Sequence, residues 1–248
     1  MPARKTIYFT PKNQPSLEDW QARWRQHASL AMSRPFWTLC LRYSQCDVVP
    51  DAPFATGEDY AGIGMGWSSP GRGSGIDSMM SDPEGVRMML ADEQVVFGIY
   101  VGDIAVVAEE AVLKPSLGGG YKLFLRAYRQ SDDFDTALPA FAAALLADAQ
   151  LEPLITRLSV GKIVPDDYTK NTRLDFDGLV ELSVEDLDAA RAVLESPQLK
   201  AAAEPFSEAL RIDWRVIVTR ENMFWDQVSG IDESARLIRD HPPVHHAV

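Results

Sequence analysis

Only two cysteines, Cys40 and Cys46, occur in the 248 residues of this chain, too few for a disulfide framework or a complete zinc site. Cations are scarce as well: 24 Lys and Arg stand against 36 Asp and Glu, a formal net charge of −12. Coating a nucleic acid needs clustered cations to neutralise phosphates, so that class of partner is excluded. No apolar run approaches the roughly 20 residues of a bilayer crossing, and no secretory h-region precedes the strand-like Thr6-Ile7-Tyr8-Phe9. A nucleophile elbow, G-x-S-x-G, and a phosphate-binding P-loop are also missing. These absences predict a soluble, reduced, cytoplasmic protein with no membrane partner, no metal and no cofactor.

What is present is ordinary globular composition, 46% hydrophobic and 24% charged, enough for a sizeable core. The chain spells βαββαβ twice. The first half reads as strand Lys5–Thr10, helix Leu17–Met32, strands Phe36–Cys46 and Tyr60–Trp67, a helix near Asp82–Glu93, and strand Ile104–Leu113. The second reads as strand Tyr121–Tyr128, helix Thr136–Ala149, strands Ile155–Val164 and Gly178–Val184, helix Leu187–Ala203, and strand Arg215–Phe224. Ala61–Trp67 corresponds to Asp177–Ser183, and Ile104–Leu113 to Arg215–Phe224. The expected division is therefore 1–114, a Gly-rich joint at 115–120, 121–230, and a loosely tied tail at 231–248. Each unit forms an antiparallel sheet with both helices on one face, leaving the other face apolar and bare. The fold class expected is α+β: two ferredoxin-like βαββαβ repeats packed sheet to sheet as an α+β barrel.

The first helix carries the chemistry. Ser16 with Asp19 at the third helical position is a capping signature. Trp20, Trp24, His27 and Ala31 then fall on one inward stripe. An imidazole there serves either as a hydrogen-bonded core residue or as a cavity group able to move a proton at neutral pH. The equivalent helix of the second half is apolar (Phe134, Leu138, Phe141, Leu145), so a histidine is not a requirement of the fold.

Ser16–Ala31, with its aromatic residue before a histidine, resembles the first helix of the EthD family. Leu41-Arg42-Tyr43-Ser44-Gln45 is similar to that family's second strand, and Asp177–Leu182 with Leu187–Ala190 and Ser196-Pro197 to its third strand and second helix. The chain thus looks like two fused EthD-like units of the dimeric α+β barrel superfamily. It departs from the pattern in placing Trp24 three residues before His27 and in lacking the histidine in the second unit. The resemblance implies cofactor-free dehydratase, decarboxylase, cyclase or oxygenase chemistry on aromatic or polyketide compounds, or an accessory role in such a pathway. It also implies a possible homodimer, and a pocket in which His27 is the polar group and Tyr43 its partner.

Other signals have plainer readings. Gly62, Gly64 and Gly66 alternate along a strand and fit no nucleotide loop, so they thin a cavity wall. His241, His245 and His246 lack companion ligands. Cys40 and Cys46, an even number apart, are expected on one strand face. The loops Asp47–Asp59 and Ser68–Gly75, rich in Gly, Pro and Ser, are candidate lids or tolerated insertions. The expected function is a cofactor-independent lyase acting by dehydration, decarboxylation or retro-aldol cleavage on a small aromatic, phenolic or polyketide-like molecule. His27 is its general acid/base, Tyr43 its oxyanion donor, and Trp20, Trp24, Trp37 and Trp67 its substrate walls. A non-catalytic accessory protein of an aromatic oxidation pathway and a cofactor-free monooxygenase are the alternatives.

Overall fold

Strand β1 (Arg4–Pro11) sends Ile7 and Phe9 to one side and Tyr8 to the other, and the same alternation divides the whole molecule into an inside and an outside. The computed structural model describes residues 4–50, 60–68, 82–116 and 120–244. Most of both candidate lids, the centre of the joint, His245 and His246 lie outside those residues.

The remaining first-half elements are α1 (Leu17–Met32), β2 (Cys40–Val48), β3 (Tyr60–Ser68), α2 (Pro83–Val96) and β4 (Ala105–Lys114). The second half supplies β5 (Tyr121–Arg129), α3 (Phe134–Ala147), β6 (Ile155–Val164), β7 (Gly178–Val184), α4 (Leu187–Glu195), α5 (Pro197–Ala201) and β8 (Leu210–Asp226). The strands run antiparallel in the order β2-β3-β1-β4-β6-β7-β5-β8, and β8 pairs back onto β2. The β4–β6 and β2–β8 seams join the two half-sheets, so the expected sheet-to-sheet packing is realised as one closed α+β barrel within a single chain. Closure removes the sheet edges that two open sheets would expose.

Two apolar layers lie outside the barrel, one per half. In the second half, Phe134, Leu138, Phe141 and Leu145 of α3 are buried against Leu123, Leu125, Val180 and Leu182. A methyl group on Gly178 would meet Leu138 at 2.7 Å and Phe134 at 2.9 Å, so that layer is filled at this point. In the first half, α1 and α2 cover the sheet, and the fit is looser.

Several local expectations are corrected. The stretch Pro35–Leu39 is a 3-10 turn, and β2 begins only at Cys40; Pro35 has no N–H to give a ladder and starts the turn instead. The helix predicted over 187–203 breaks at Ser196, whose side chain caps a separate turn led by Pro197. Register shifts at Cys40/Arg42 and Tyr43/Ser44 put Cys40 on the helix side and Cys46 in the barrel, not on a common face. The segment after Gly230 is tied down as far as His241 and is not a loose tail there. Ile231–Asp232 forms β9 against β8, and α6 (Ser234–Asp240) buries Leu237 and receives a hydrogen bond from Ser29 Oγ at the Leu237 carbonyl.

Candidate functional site

The alternating glycines of β3 open the space in which the site lies. Gly62, Gly64 and Gly66 face the helices, whereas Ile63, Met65 and Trp67 face the barrel. A Cβ on Gly62 would strike Trp24 at 2.4 Å and Trp20 at 3.0 Å, and one on Gly64 would strike the Tyr8 ring at 1.9 Å. Bare backbone at these two positions makes room for three large aromatics against the sheet. At Gly66 nothing lies within 4 Å of the Cβ position. Here the space is left empty, and a cavity of about 160 Å³ opens between sheet and helices. An apolar cavity of roughly 150 Å³ is known to accept benzene, so this one has room for an aromatic ring.

Replacing Gly66 by Leu therefore fills the cavity without a backbone clash. Weaker binding of 1-naphthol is expected, with the melting temperature nearly unchanged. Gly64→Ala, which collides with Tyr8, is expected to lower the melting temperature instead; calorimetry and fluorescence titration of both variants check the contrast.

His27 borders this cavity, as do Tyr43, Trp37 and Trp67. Trp20 and Trp24 do not. They are completely buried against Gly62 and serve the core, which corrects their expected place on the substrate wall. Trp37, on the 3-10 turn, packs edge-on against Tyr43 with ring centres 5.1 Å apart. The Trp67 ring turns into the barrel, where its indole N–H donates to Glu110 at 2.8 Å and Lys5 and Arg42 flank it.

The groups that complete the site come from α2, β1 and the second half. In α2 the buried residues Gly85, Met89, Asp92, Glu93 and Val96 form one helical stripe, so two carboxyl groups stand on an otherwise apolar face. His27 Nδ1 lies 2.7 Å from Asp92 Oδ2, and Arg23 donates to the other Asp92 oxygen. Burial alone would raise the Asp92 pKa, but the bond to and charge of His27, with Arg23 behind them, hold it down to about 2. An ionised Asp92 accepts the Nδ1 proton. An imidazole with its proton on Nδ1 and none on Nε2 would present the Nε2 lone pair to the cavity, the geometry of a base held by a carboxylate. Phe97 packs edge-on against the ring, 5.1 Å away, which fixes its plane.

A second polar line ends at Tyr8. Gln45 Nε2 donates to the Tyr43 hydroxyl at 2.9 Å, and the Tyr43 and Tyr8 hydroxyls are 2.7 Å apart. The Tyr43–Tyr8 bond can run in either direction; when Tyr43 gives its proton to Tyr8, the Tyr8 O–H is left for a ligand. Burial pushes the Tyr8 phenol up to about 12 and the Tyr43 phenol well above its ordinary value. Both are proton donors at neutral pH and not bases.

Glu93 and Tyr168 also border the cavity. Glu93 Oε2 accepts from the Val101 N–H at 2.8 Å. Tyr168 arrives from the strap between β6 and β7, where Asp166 caps its turn at the Tyr168 N–H. That strap crosses onto the first half so closely that a Cβ on Gly102 would meet the Tyr168 carbonyl oxygen at 2.6 Å. Burial first, then Glu93, raise the Tyr168 phenol well above its ordinary value. Among the described residues no group of three or more His, Cys, Asp or Glu is placed to hold a metal ion. No helix among them is long and apolar enough to cross a membrane.

No protein-family model matches the sequence, and no curated protein does. Solved structures do match in fold. An anthrone oxidase-like protein aligns over 92% of this chain and 95% of its own, with a TM-score of 0.61 and 11% identity. A candidate monooxygenase from Lactobacillus acidophilus aligns over 91% and 96%, at 0.51 and 13%. A variant chlorite dismutase from Candidatus Nitrospira defluvii aligns over 96% and 95%, at 0.52 and 9%. The chain shares the α+β barrel of these proteins, and at such identities the likeness is one of fold.

Proposed function

We propose that the protein is a cofactor-independent lyase that begins by taking a proton from a small phenolic or enolisable aromatic molecule. The observation that supports this most directly is His27 at the cavity wall with Nδ1 tied to an ionised Asp92. His27 Nε2 removes a proton from the substrate, and the negative charge that develops on the substrate oxygen is met by the Tyr8 hydroxyl. Tyr43 and Gln45 stand behind Tyr8 and orient it. This reading moves the oxyanion-donor role from Tyr43, where the sequence suggested it, to Tyr8. The apolar lining from Ala28, Ala31, Phe36 and Met89 strengthens both interactions by excluding water. The EthD-like ancestry of both halves is part of the same proposal, supported by the matching order of elements in each.

The distribution of roles is testable. Tyr8→Phe should lower kcat by about 10²–10³-fold, because it removes the donor that faces the charge. Tyr43→Phe, one bond further back, should cost several-fold less and leave KM nearly unchanged. An equal loss in both variants would return the donor role to Tyr43.

A second reading, cofactor-free oxygenation in an aromatic oxidation pathway, is favoured by the fold neighbours, one of which is anthrone oxidase-like. It uses the same first deprotonation. Uptake of dissolved oxygen during turnover of a phenolic substrate separates the two, since a lyase consumes none.

A further inference from the structure

We propose that Glu93 is the proton donor of this site and that, paired with His27, it selects water elimination from a ring ketone bearing a β-hydroxyl group. This deepens the reading of His27 as the base and rests on it.

Asp92 and Glu93 are neighbours on α2, yet their surroundings are opposite. Asp92 is held between Arg23 and His27. Glu93, only 3% exposed, has one oxygen fixed by the Val101 N–H and no other hydrogen-bond partner among the described residues. The groups around it are Asp92 on its own helix, Asp103 on the turn after α2, Tyr8 on β1 and Tyr168 on the strap, while His27 on α1 borders the same cavity. Lysine and arginine are absent from that set. Burial raises the Glu93 pKa most, Asp92 and Asp103 raise it further against the Val101 bond, and it reaches about 7. Two adjacent carboxyl groups are thus driven apart, one ionised to fix the base and one still carrying a proton near neutrality.

A base alone suffices for deprotonation, and for oxygenation of the resulting anion. Decarboxylation needs a donor only after the carboxyl group has left. Elimination of water needs both groups in one site, a base for the proton on carbon and an acid for the departing oxygen. In the step inferred, His27 Nε2 takes the hydrogen α to the carbonyl, and the C–H electron pair forms an enolate hydrogen-bonded to Tyr8. The enolate reforms the carbonyl, the electron pair makes the C=C bond, and the β C–O bond breaks. The leaving hydroxyl takes the Glu93 proton and departs as water. His27 ends protonated and Glu93 ionised, and proton transfer from one to the other through solvent resets the site. No electron is gained or lost overall.

The experiment uses two probes with the full-length protein. 1-Tetralone in deuterium oxide has an acidic α position and no leaving group, so hydrogen exchange read by NMR reports the base alone. 3-Hydroxy-1-tetralone adds the leaving group, and its dehydration to 1-naphthol is read by fluorescence. Glu93→Gln keeps an acceptor for Val101 and cannot donate a carboxyl proton; its melting temperature is measured alongside. The expected result is that wild type catalyses both reactions, and that Glu93→Gln slows dehydration by roughly 10²-fold or more but exchange far less. Wild-type dehydration should also decline as pH rises through about 7, where Glu93 loses its proton, and the variant should lack that decline. Equal losses in both reactions, or dehydration by the variant at the wild-type rate, would overturn the inference. Exchange without dehydration in wild type would overturn it while sparing His27 as base. Absence of both reactions would overturn the base reading as well.

Discussion

Changing His27 to Asn is expected to lower 1-tetralone exchange roughly 10²–10⁴-fold with little change in melting temperature. Asn is chosen because its side-chain N–H can stand where imidazole Nδ1 stands, 2.7 Å from Asp92, while nothing replaces Nε2. Alanine is the harsher comparison. Asp92 has no exposed surface, and in His27→Ala it keeps Arg23 but loses its bond to the imidazole. Losing a hydrogen bond to a buried carboxylate costs about 1–3 kcal/mol, so the alanine variant should lose stability as well as activity. The pH sign follows from the depressed Asp92 pKa. Its contribution to stability is present above the ordinary carboxylate range and is lost as pH falls toward about 2. His27→Ala should therefore weaken the protein most at neutral pH. Full exchange activity in His27→Asn would end the proposal of a base at this position.

How far the sequence discloses this site depends on the kind of signal each residue carries. Helix α1 runs over Leu17–Met32 with Ser16 capping the Asp19 N–H, as predicted, because capping and a 3.6-residue apolar stripe are local properties. His27 and Tyr43 reach one cavity for the same reason, each marked by its place in a periodic element. Trp20 and Trp24 share the stripe of His27, but periodicity says which face is buried and not where on that face a void remains. The void is fixed by Gly66, whose missing side chain matters only once α1 and α2 have settled over β3. Asp92 and Glu93 look in sequence like an acidic patch on a solvated helix. Reading α2 at 100° per residue would have placed both beside Met89 and Val96, on the apolar side where a carboxyl group needs a reason. Tyr168 offered no such signal, because a strap 141 residues beyond His27 meets the cavity only through barrel closure.

The inside of the barrel holds the other large effect. The strand registers set Lys5 opposite Trp67 and Lys122 opposite Ser183, the correspondence read from the sequence. By the same registers Arg42 and Arg157 occupy matching places on β2 and β6, and Glu110 and Glu221 on β4 and β8. Lys5 bonds Glu110 at 2.9 Å, and Lys122 bonds Glu221 at 2.8 Å. Glu181, for which the first half has Met65, also accepts from Lys5, and Arg157 reaches Glu110 at 3.1 Å. Three cations (Lys5, Lys122, Arg157) thus balance three carboxylates (Glu110, Glu181, Glu221), all nearly or fully buried. Such a network stabilises little over an apolar core, but it is costly to unbalance. Lys5→Met keeps the length and volume of the side chain and removes the charge between two carboxylates. Among the described residues Glu181 then keeps Lys122, at 4.0 Å, with the Arg157 charge beyond it. The expected loss is about 3–5 kcal/mol, or roughly 10 °C in melting temperature for a chain of this size. Burial raises the Glu110 pKa, but Lys5 and Arg157 outweigh it and hold the carboxyl well below its ordinary range. Its stability contribution is therefore present above about pH 4–5 and is lost as pH falls. Without Lys5 that contribution shrinks, so the gap between variant and wild type should be widest at pH 7 and should narrow in acid. Denaturant unfolding of both proteins across that range measures it, and a gap that is small or independent of pH would show that the barrel interior does not depend on this charge.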